Sequence, residues 1–140
     1  MKSFISSKAE KGLESKIHGK GIFAVKPIKN GEIIAVKKGH LLTRKQYLET
    51  EVYGRHSGLQ IDDDLYIAPI KKDELEDSMI YINHFCDPNV GMKNATTFVA
   101  MRDIEPDEEL AIDYAMIGAN NNLSVKCNCG SENCRQTFTG

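Results

Sequence analysis

The chain has 140 residues, a formal net charge of −2, 41% apolar residues and 27% charged ones, a balance that suits one globular domain with a real core. A slightly acidic chain has no global electrostatic pull toward nucleic acid, so no direct nucleic-acid partner is expected. There is no run of ~18 apolar residues, and Met1 to Lys8 carries no long apolar segment, so neither a membrane span nor a secretory leader is expected and the setting is read as intracellular and reducing, cytoplasmic or nuclear if eukaryotic.

The predicted elements are short and heavily punctuated. Ile22 to Val25 reads as a strand stopped by Pro27. Asn30-Gly31 marks a turn, and Ile33 to Val36 follows as a strand. Lys37-Lys38 and Lys71-Lys72 read as solvated faces. Thr43 is the expected N-cap of a helix reaching Tyr53, with Gln46 completing a capping box. Leu65 to Ala68 reads as a strand ending at Pro69, and Asp73 to Met79 as a short helical turn. Thr97 to Met101 is β-branched and aromatic, which predicts a buried strand. Glu109 to Tyr114 predicts another strand, and Asn120 to Asn122 a loop leading to a cysteine-bearing tail. No internal repeat is present. The fold class is therefore β-rich α+β.

Four segments hold residue types suited to chemistry. Ile17-His18-Gly19-Lys20-Gly21-Ile22-Phe23-Ala24 carries two glycines, which permit close backbone approach to a ligand or a plain tight turn. Asn83-His84-Phe85-Cys86-Asp87-Pro88-Asn89 brings amides with both donor and acceptor groups. Glu109-Leu110-Ala111-Ile112-Asp113-Tyr114 ends in a phenol, which serves equally well as a core residue or an aligning group. Cys127, Cys129 and Cys134 stand at Cys-x-Cys-x₄-Cys spacing in the tail. At a reducing site this spacing favours a metal over a Cys129–Cys134 disulfide or free thiols, and structural zinc wants four such ligands.

In this order the four segments resemble the signatures of the SET-domain protein-lysine methyltransferases: the G-x-G cofactor segment, N-H-x-C-x-P-N, E-L-x-x-D-Y and the post-SET cysteine tail. The resemblance spans residues 17 to 135. It implies a fold of several small curved sheets with a C-terminal pseudoknot, in which the last strand threads under the loop of the second motif, and a zinc-bound tail. The expected division is a SET domain over 1–118 and a linker with post-SET zinc-binding tail over 119–140.

The implied activity is methyl transfer from S-adenosylmethionine to a lysine side chain. His18, Gly19, Lys20, Gly21, Ile22, Phe23, Tyr66, Asn83 and His84 are the implied cofactor-binding residues, and Tyr114 the catalytic one. Glu109 and Asp113 are expected to anchor the strand, and Pro88 and Asn89 to shape the loop. Cys86 supplies the fourth zinc ligand beside Cys127, Cys129 and Cys134, which uses every cysteine in the chain. The implied partner is a lysine-containing protein or peptide, a histone or another basic chromatin protein. A catalytically weak SET-like module that binds cofactor and peptide is the second reading, and a small zinc-stabilised interaction protein the third.

The chain departs from the family pattern at several points. Ile80 stands where an arginine is common and Phe85 where a serine is usual; Lys37 replaces a site tyrosine, and Gln136 a glycine. Met92 and Ile112, aligned with positions that control how many methyl groups are added, bear no hydroxyl, so addition of a second methyl is expected.

Overall fold

The computed structural model describes residues 2–53 and 57–114, together with two tail strands over 124–126 and 137–139. Eleven strands and two short helices make up the described body. In order these are β1 (Phe4–Ile5), β2 (Ala9–Glu14), β3 (Lys20–Ala24), β4 (Ile33–Val36), β5 (His40–Leu42), α1 (Arg44–Leu48), β6 (Leu59–Asp62), β7 (Leu65–Ala68), α2 (Leu75–Ser78), β8 (Asn83–His84), β9 (Val90–Met92), β10 (Thr97–Ala100) and β11 (Glu109–Ile112). A 3₁₀ turn over Lys72–Glu74 leads into α2. The tail strands β12 (Ser124–Lys126) and β13 (Thr137–Thr139) pair with each other. Among the described residues no helix is long and apolar enough to cross a membrane.

The main sheet runs β1-β4-β10-β9-β11-β3-β2, with β8 also paired to β11. Strand β11 has three partners in it, lying antiparallel to β3 and parallel to both β8 and β9. Strand β11 reads Glu-Leu-Ala-Ile, and Leu110, Ala111 and Ile112 are all fully buried, as befits a strand covered on both faces. With Ile22, Ile28, Ile34, Val90, Phe98 and Ile104, Leu110 and Ile112 form the principal core. Burial of each such large side chain contributes roughly 1.5–3 kcal/mol.

The β4–β10 pair carries a bulge: Phe98 faces Ala35 while Val99 faces Ile33. The extra residue is Ile34, so Ile34 and Ala35 both reach the core instead of alternating. The Asn30-Gly31 turn forms as expected, with Gly31 at φ 86 and Glu32 N–H donating to Lys29 O at 3.0 Å.

A second, three-stranded sheet runs β5-β7-β6. Leu42, Tyr47 and Ala68 form its small core with Tyr66 and Ile70. The Thr43 capping box is present, with Gln46 N–H donating to Thr43 Oγ1 at 3.2 Å and Thr43 N–H to Gln46 Oε1 at 2.9 Å. The helix stops at Leu48 rather than Tyr53, because Glu49 N–H already bonds back to Gln46 O and Thr50 Oγ1 to Tyr47 O. The predicted loop at Asn120 to Asn122 lies outside the described residues.

One expectation is overturned. Lys71 and Lys72 are exposed, but Lys37 is only 6% exposed. It directly follows β4, and its ammonium donates to Ser78 O at 2.8 Å.

Candidate active site

The loop Phe85–Asn89 closes around the end of β11 through backbone and side-chain bonds. Phe85 N–H donates to Ile112 O at 3.1 Å and Asn89 N–H to Ala111 O at 3.3 Å. Asn89 Nδ2 donates to Glu109 O and its Oδ1 accepts Ala111 N–H, both at 2.9 Å. The expected loop-shaping role of Asn89 is thus a double clamp on the strand that delivers Tyr114.

Strand β8 places Asn83 against Ala111 and His84 against Ile112. The Asn83 Nδ2 group faces four acceptors: Ser15 Oγ, His18 O and Lys20 O at 3.1 Å and Glu109 Oε2 at 3.0 Å. All four are acceptors, so the amide nitrogen must face them. Its Oδ1 then points away, with no hydrogen bond among the described residues.

Ser15 was not singled out from the sequence, yet it organises the glycine loop. Its hydroxyl donates to the Glu109 carboxylate at 2.8 Å and accepts Ile17 N–H at 2.9 Å. Ser15 N–H closes the loop on Gly19 O at 2.8 Å. The only local signal was a serine a few residues before a Gly-x-Gly, a common side-chain turn. Gly19 has φ 47, in the left-handed region. Gly21 is required for a different reason: a Cβ there would lie 2.6 Å from Glu109 Oε2. Glu109 therefore anchors the loop as well as its strand.

Tyr114 follows β11 and turns back to β8. Its hydroxyl donates to Ile82 O at 2.7 Å, and its N–H donates to His84 Nδ1 at 3.0 Å. Burial, with the Glu109 carboxylate adding, pushes the phenol up to about 12, so it stays protonated at neutral pH. The His84 and Tyr114 rings meet edge-on with centroids 5.3 Å apart. Because His84 Nδ1 accepts the Tyr114 N–H, its ring proton sits on Nε2, which lies 3.3 Å from Cys86 Sγ. Asp113, 3.7 Å from Nδ1, is a more distant neighbour of the same ring.

The structure therefore brings together His18, Gly19, Lys20, Gly21, Asn83, His84 and Tyr114. Tyr66 lies on β7 of the second sheet, where its ring stacks on Tyr47 at 5.1 Å. Ile22 is fully buried in the principal core. Phe23 lines an open hollow of about 260 Å³ with Leu13, Val25 and Asp107. Ile112 is likewise core, and Met92 is partly buried against it. Cys127, Cys129 and Cys134 lie outside the described residues, and among the described residues no group of three or more metal-ligating side chains occurs.

Tyr81 was also missed. It has φ 62, an uncommon backbone for a bulky residue. Its hydroxyl donates to Glu76 Oε2 at 2.5 Å, and burial with that carboxylate pushes its phenol up to about 12. Lys20 Nζ, from the glycine loop, lies 5.7 Å from its ring centroid and Lys11 Nζ 5.9 Å.

Known proteins are similar to this chain in sequence. The SET domain family profile aligns with residues 19–115. The chain is 30% identical over 136 residues to the histone-lysine N-methyltransferase trithorax of Drosophila melanogaster, across 87% of this chain and 4% of that protein. It is 32% identical over 136 residues to the H3 lysine-4 specific histone-lysine N-methyltransferase of Candida albicans, across 86% of this chain and 13% of that protein. It is 32% identical over 151 residues to a variant-silencing SET domain-containing protein of Plasmodium falciparum, across 95% of this chain and 6% of that protein. The chain thus spans a small fraction of the length of these relatives. By the extent of the profile match, the chain belongs to the SET domain family.

Proposed function

We propose that this chain is an S-adenosylmethionine-dependent protein-lysine N-methyltransferase domain whose substrate is a lysine of a histone or another basic chromatin protein. The observation that carries the reading is the convergence on β11: one strand anchors the glycine loop through Glu109 and delivers Tyr114 beside Asn83 and His84. The acceptor class follows from the relatives, which are histone-lysine N-methyltransferases by name.

The cofactor supplies an electrophilic methyl group on a sulfonium. The residues present fit it: Asn83 Oδ1 is an acceptor turned away from the glycine loop, and His18 to Gly21 offer a tight backbone turn beside it. The acceptor amine must arrive neutral, although a free lysine has a pKa of ~10.4, so a desolvated approach is required. Tyr114 holds its proton, which is committed to Ile82 O. Toward an incoming amine its oxygen therefore acts as an acceptor, orienting the nitrogen rather than serving as a strong base. Positioning of this kind supplies much of the rate in an in-line displacement.

The finer architecture is part of the proposal. The insertion of β11 between β3 and the β8 and β9 strands, gripped by the Phe85–Asn89 loop, supports the threaded pseudoknot. Cys86 joins Cys127, Cys129 and Cys134 around zinc. Its fit rests on His84, whose Nε2–H faces Cys86 Sγ as a donor would face a thiolate ligand. With no hydroxyl at Met92 or Ile112, a second methyl is added.

Calorimetry with S-adenosylmethionine, followed by mass spectrometry of histone-tail peptides incubated with both, tests the reading. Cofactor binding with mass gains of one or two methyl groups on lysine is expected. Binding without transfer makes the chain a cofactor- and peptide-binding module, and absence of binding refutes the proposal.

A further inference from the structure

The strip from Ser78 to Asn83 is held at both ends and strained in the middle. At its start Ser78 O accepts Lys37 Nζ at 2.8 Å and Ser3 Oγ at 2.7 Å, and Met79 O accepts Lys11 Nζ at 2.6 Å. Lys11 also donates to Glu76 O. At its end the Asn83 amide is tied to the glycine loop and Glu109. Between these anchors lie left-handed Tyr81 and Ile82, whose carbonyl accepts the Tyr114 hydroxyl. Backbone strain of this kind persists only where the surroundings over-determine it.

Lys37 is the unusual anchor. It is an ammonium buried at 6% exposure. The charged groups around it are Lys11 on β2, which repels it, with Glu76 and Asp77 of α2 facing Lys11 in turn. A buried cation without a carboxylate in hydrogen-bond range costs stability. Ser3 already satisfies the Ser78 carbonyl, so completing the backbone bonds of α2 does not require a lysine here. What the ammonium adds is a charge-assisted bond, shorter and stronger than a neutral one. Burial, with Lys11 adding, brings its pKa down to about 7.

We infer that Lys37 is a positioning residue for methyl transfer: through the Ser78 carbonyl it fixes the start of the strained strip, and through the strip it sets the Ile82 carbonyl and with it the Tyr114 hydroxyl. The inference rests on the assignment of Tyr114 made above.

The test compares the parent, Lys37→Met, Lys37→Gln and Tyr114→Phe. Thermal unfolding, the Kd for S-adenosylmethionine by calorimetry, and kcat and KM on a lysine peptide across about pH 6 to 9 are measured for each. Lys37→Met should melt higher than the parent at neutral pH and bind cofactor within about twofold, yet lose about tenfold in kcat, the worth of one charge-assisted bond. The parent's kcat profile should break near the Lys37 pKa of about 7, and both Lys37 variants should lack that break. Lys37→Gln, which still donates to Ser78 O, should recover part of kcat and reads the same profile if Lys37→Met does not fold. A merely structural lysine would lower melting temperature and kcat together in Lys37→Met, and that result overturns the inference. So does unchanged kcat, or a break near neutral pH that survives both substitutions. A fully active Tyr114→Phe instead refutes the assignment of Tyr114.

Discussion

Asn89 grips β11 on either side of Leu110: its Nδ2 donates to Glu109 O and its Oδ1 accepts Ala111 N–H, each at 2.9 Å. Asn89 is 4% exposed, so water cannot replace either bond. Asn89→Ala should cost about 2–4 kcal/mol, two lost bonds that leave buried backbone groups unpaired. Asn89→Asp, which keeps the acceptor and loses the donor, should also destabilise. Urea unfolding followed by tryptophan-independent far-UV dichroism measures both, and an Asn89→Ala variant as stable as the parent would show that the clamp contributes nothing.

Tyr114→Phe keeps the ring against His84 and the core but removes the hydroxyl donated to Ile82 O. Cofactor affinity should change little while methyl transfer falls by ~10²–10³-fold, the usual cost of a lost positioned polar group. Calorimetry and a single-turnover methyl-transfer assay separate the two effects. Equal turnover by the variant and the parent would demote Tyr114 to a packing residue.

Stability should rise with pH above neutrality. Lys37 titrates at about 7 in the folded chain against an ordinary value of 10.5, so between those values the unfolded chain holds more protons. The penalty of burying its charge is complete below pH 7 and is released as pH climbs toward 10.5, at a slope of about 1 kcal/mol per pH unit at its steepest. Lys11, lowered by burial, acts in the same direction. Tyr81 and Tyr114, raised to about 12 from 10.0, oppose it: above pH 10 the folded chain keeps protons that the unfolded chain loses, and stability falls again. Denaturant titrations at a series of pH values should show a maximum on the alkaline side, and Lys37→Met should flatten the rising limb. A decline in stability from pH 7 to 9 would contradict this.

Asp107 is exposed and left-handed, with φ 72, while its N–H donates to Ala24 O at 2.7 Å. Glycine adopts that conformation without a Cβ clash and keeps the backbone bond. Asp107→Gly should therefore stabilise by about 0.5–1 kcal/mol, the relief of left-handed strain less the entropy glycine loses on folding. Differential scanning calorimetry reads the gain; a lower melting temperature would mean that the Asp107 side chain matters more than its backbone.

Zinc content is the test of the tail. Protein purified under reducing conditions should carry one zinc per chain, and Cys86→Ser should lower its affinity sharply, since Cys86 is the only cysteine of the four outside the tail. Elemental analysis that finds no metal, or an unchanged content after Cys86→Ser, would remove Cys86 from the ligand set.

What the amino-acid sequence determined by itself was local. Strands β4 and β7 have the predicted bounds because β-branched runs sit between turn residues, and the Thr43–Gln46 box forms because both partners lie within one turn. The two asparagine- and tyrosine-bearing segments were visible as motifs, since their order along the chain survives without coordinates. Strand β2 was not: Ala-Glu-Lys-Gly-Leu-Glu has little strand preference and is extended because β3 offers it a partner. The tertiary structure alone decided that Ser15 would bond Asn83 across 68 residues, that Gly21 would make room for Glu109, and that Tyr114 would reach Ile82. It also buried Lys37, which by its type and its lysine neighbour belonged in solvent. Hydrogen-bond partners and burial at such separations are set by which strands the topology makes adjacent, and β11's place between β3, β8 and β9 depends on the pairing of the whole chain rather than on any residue within it.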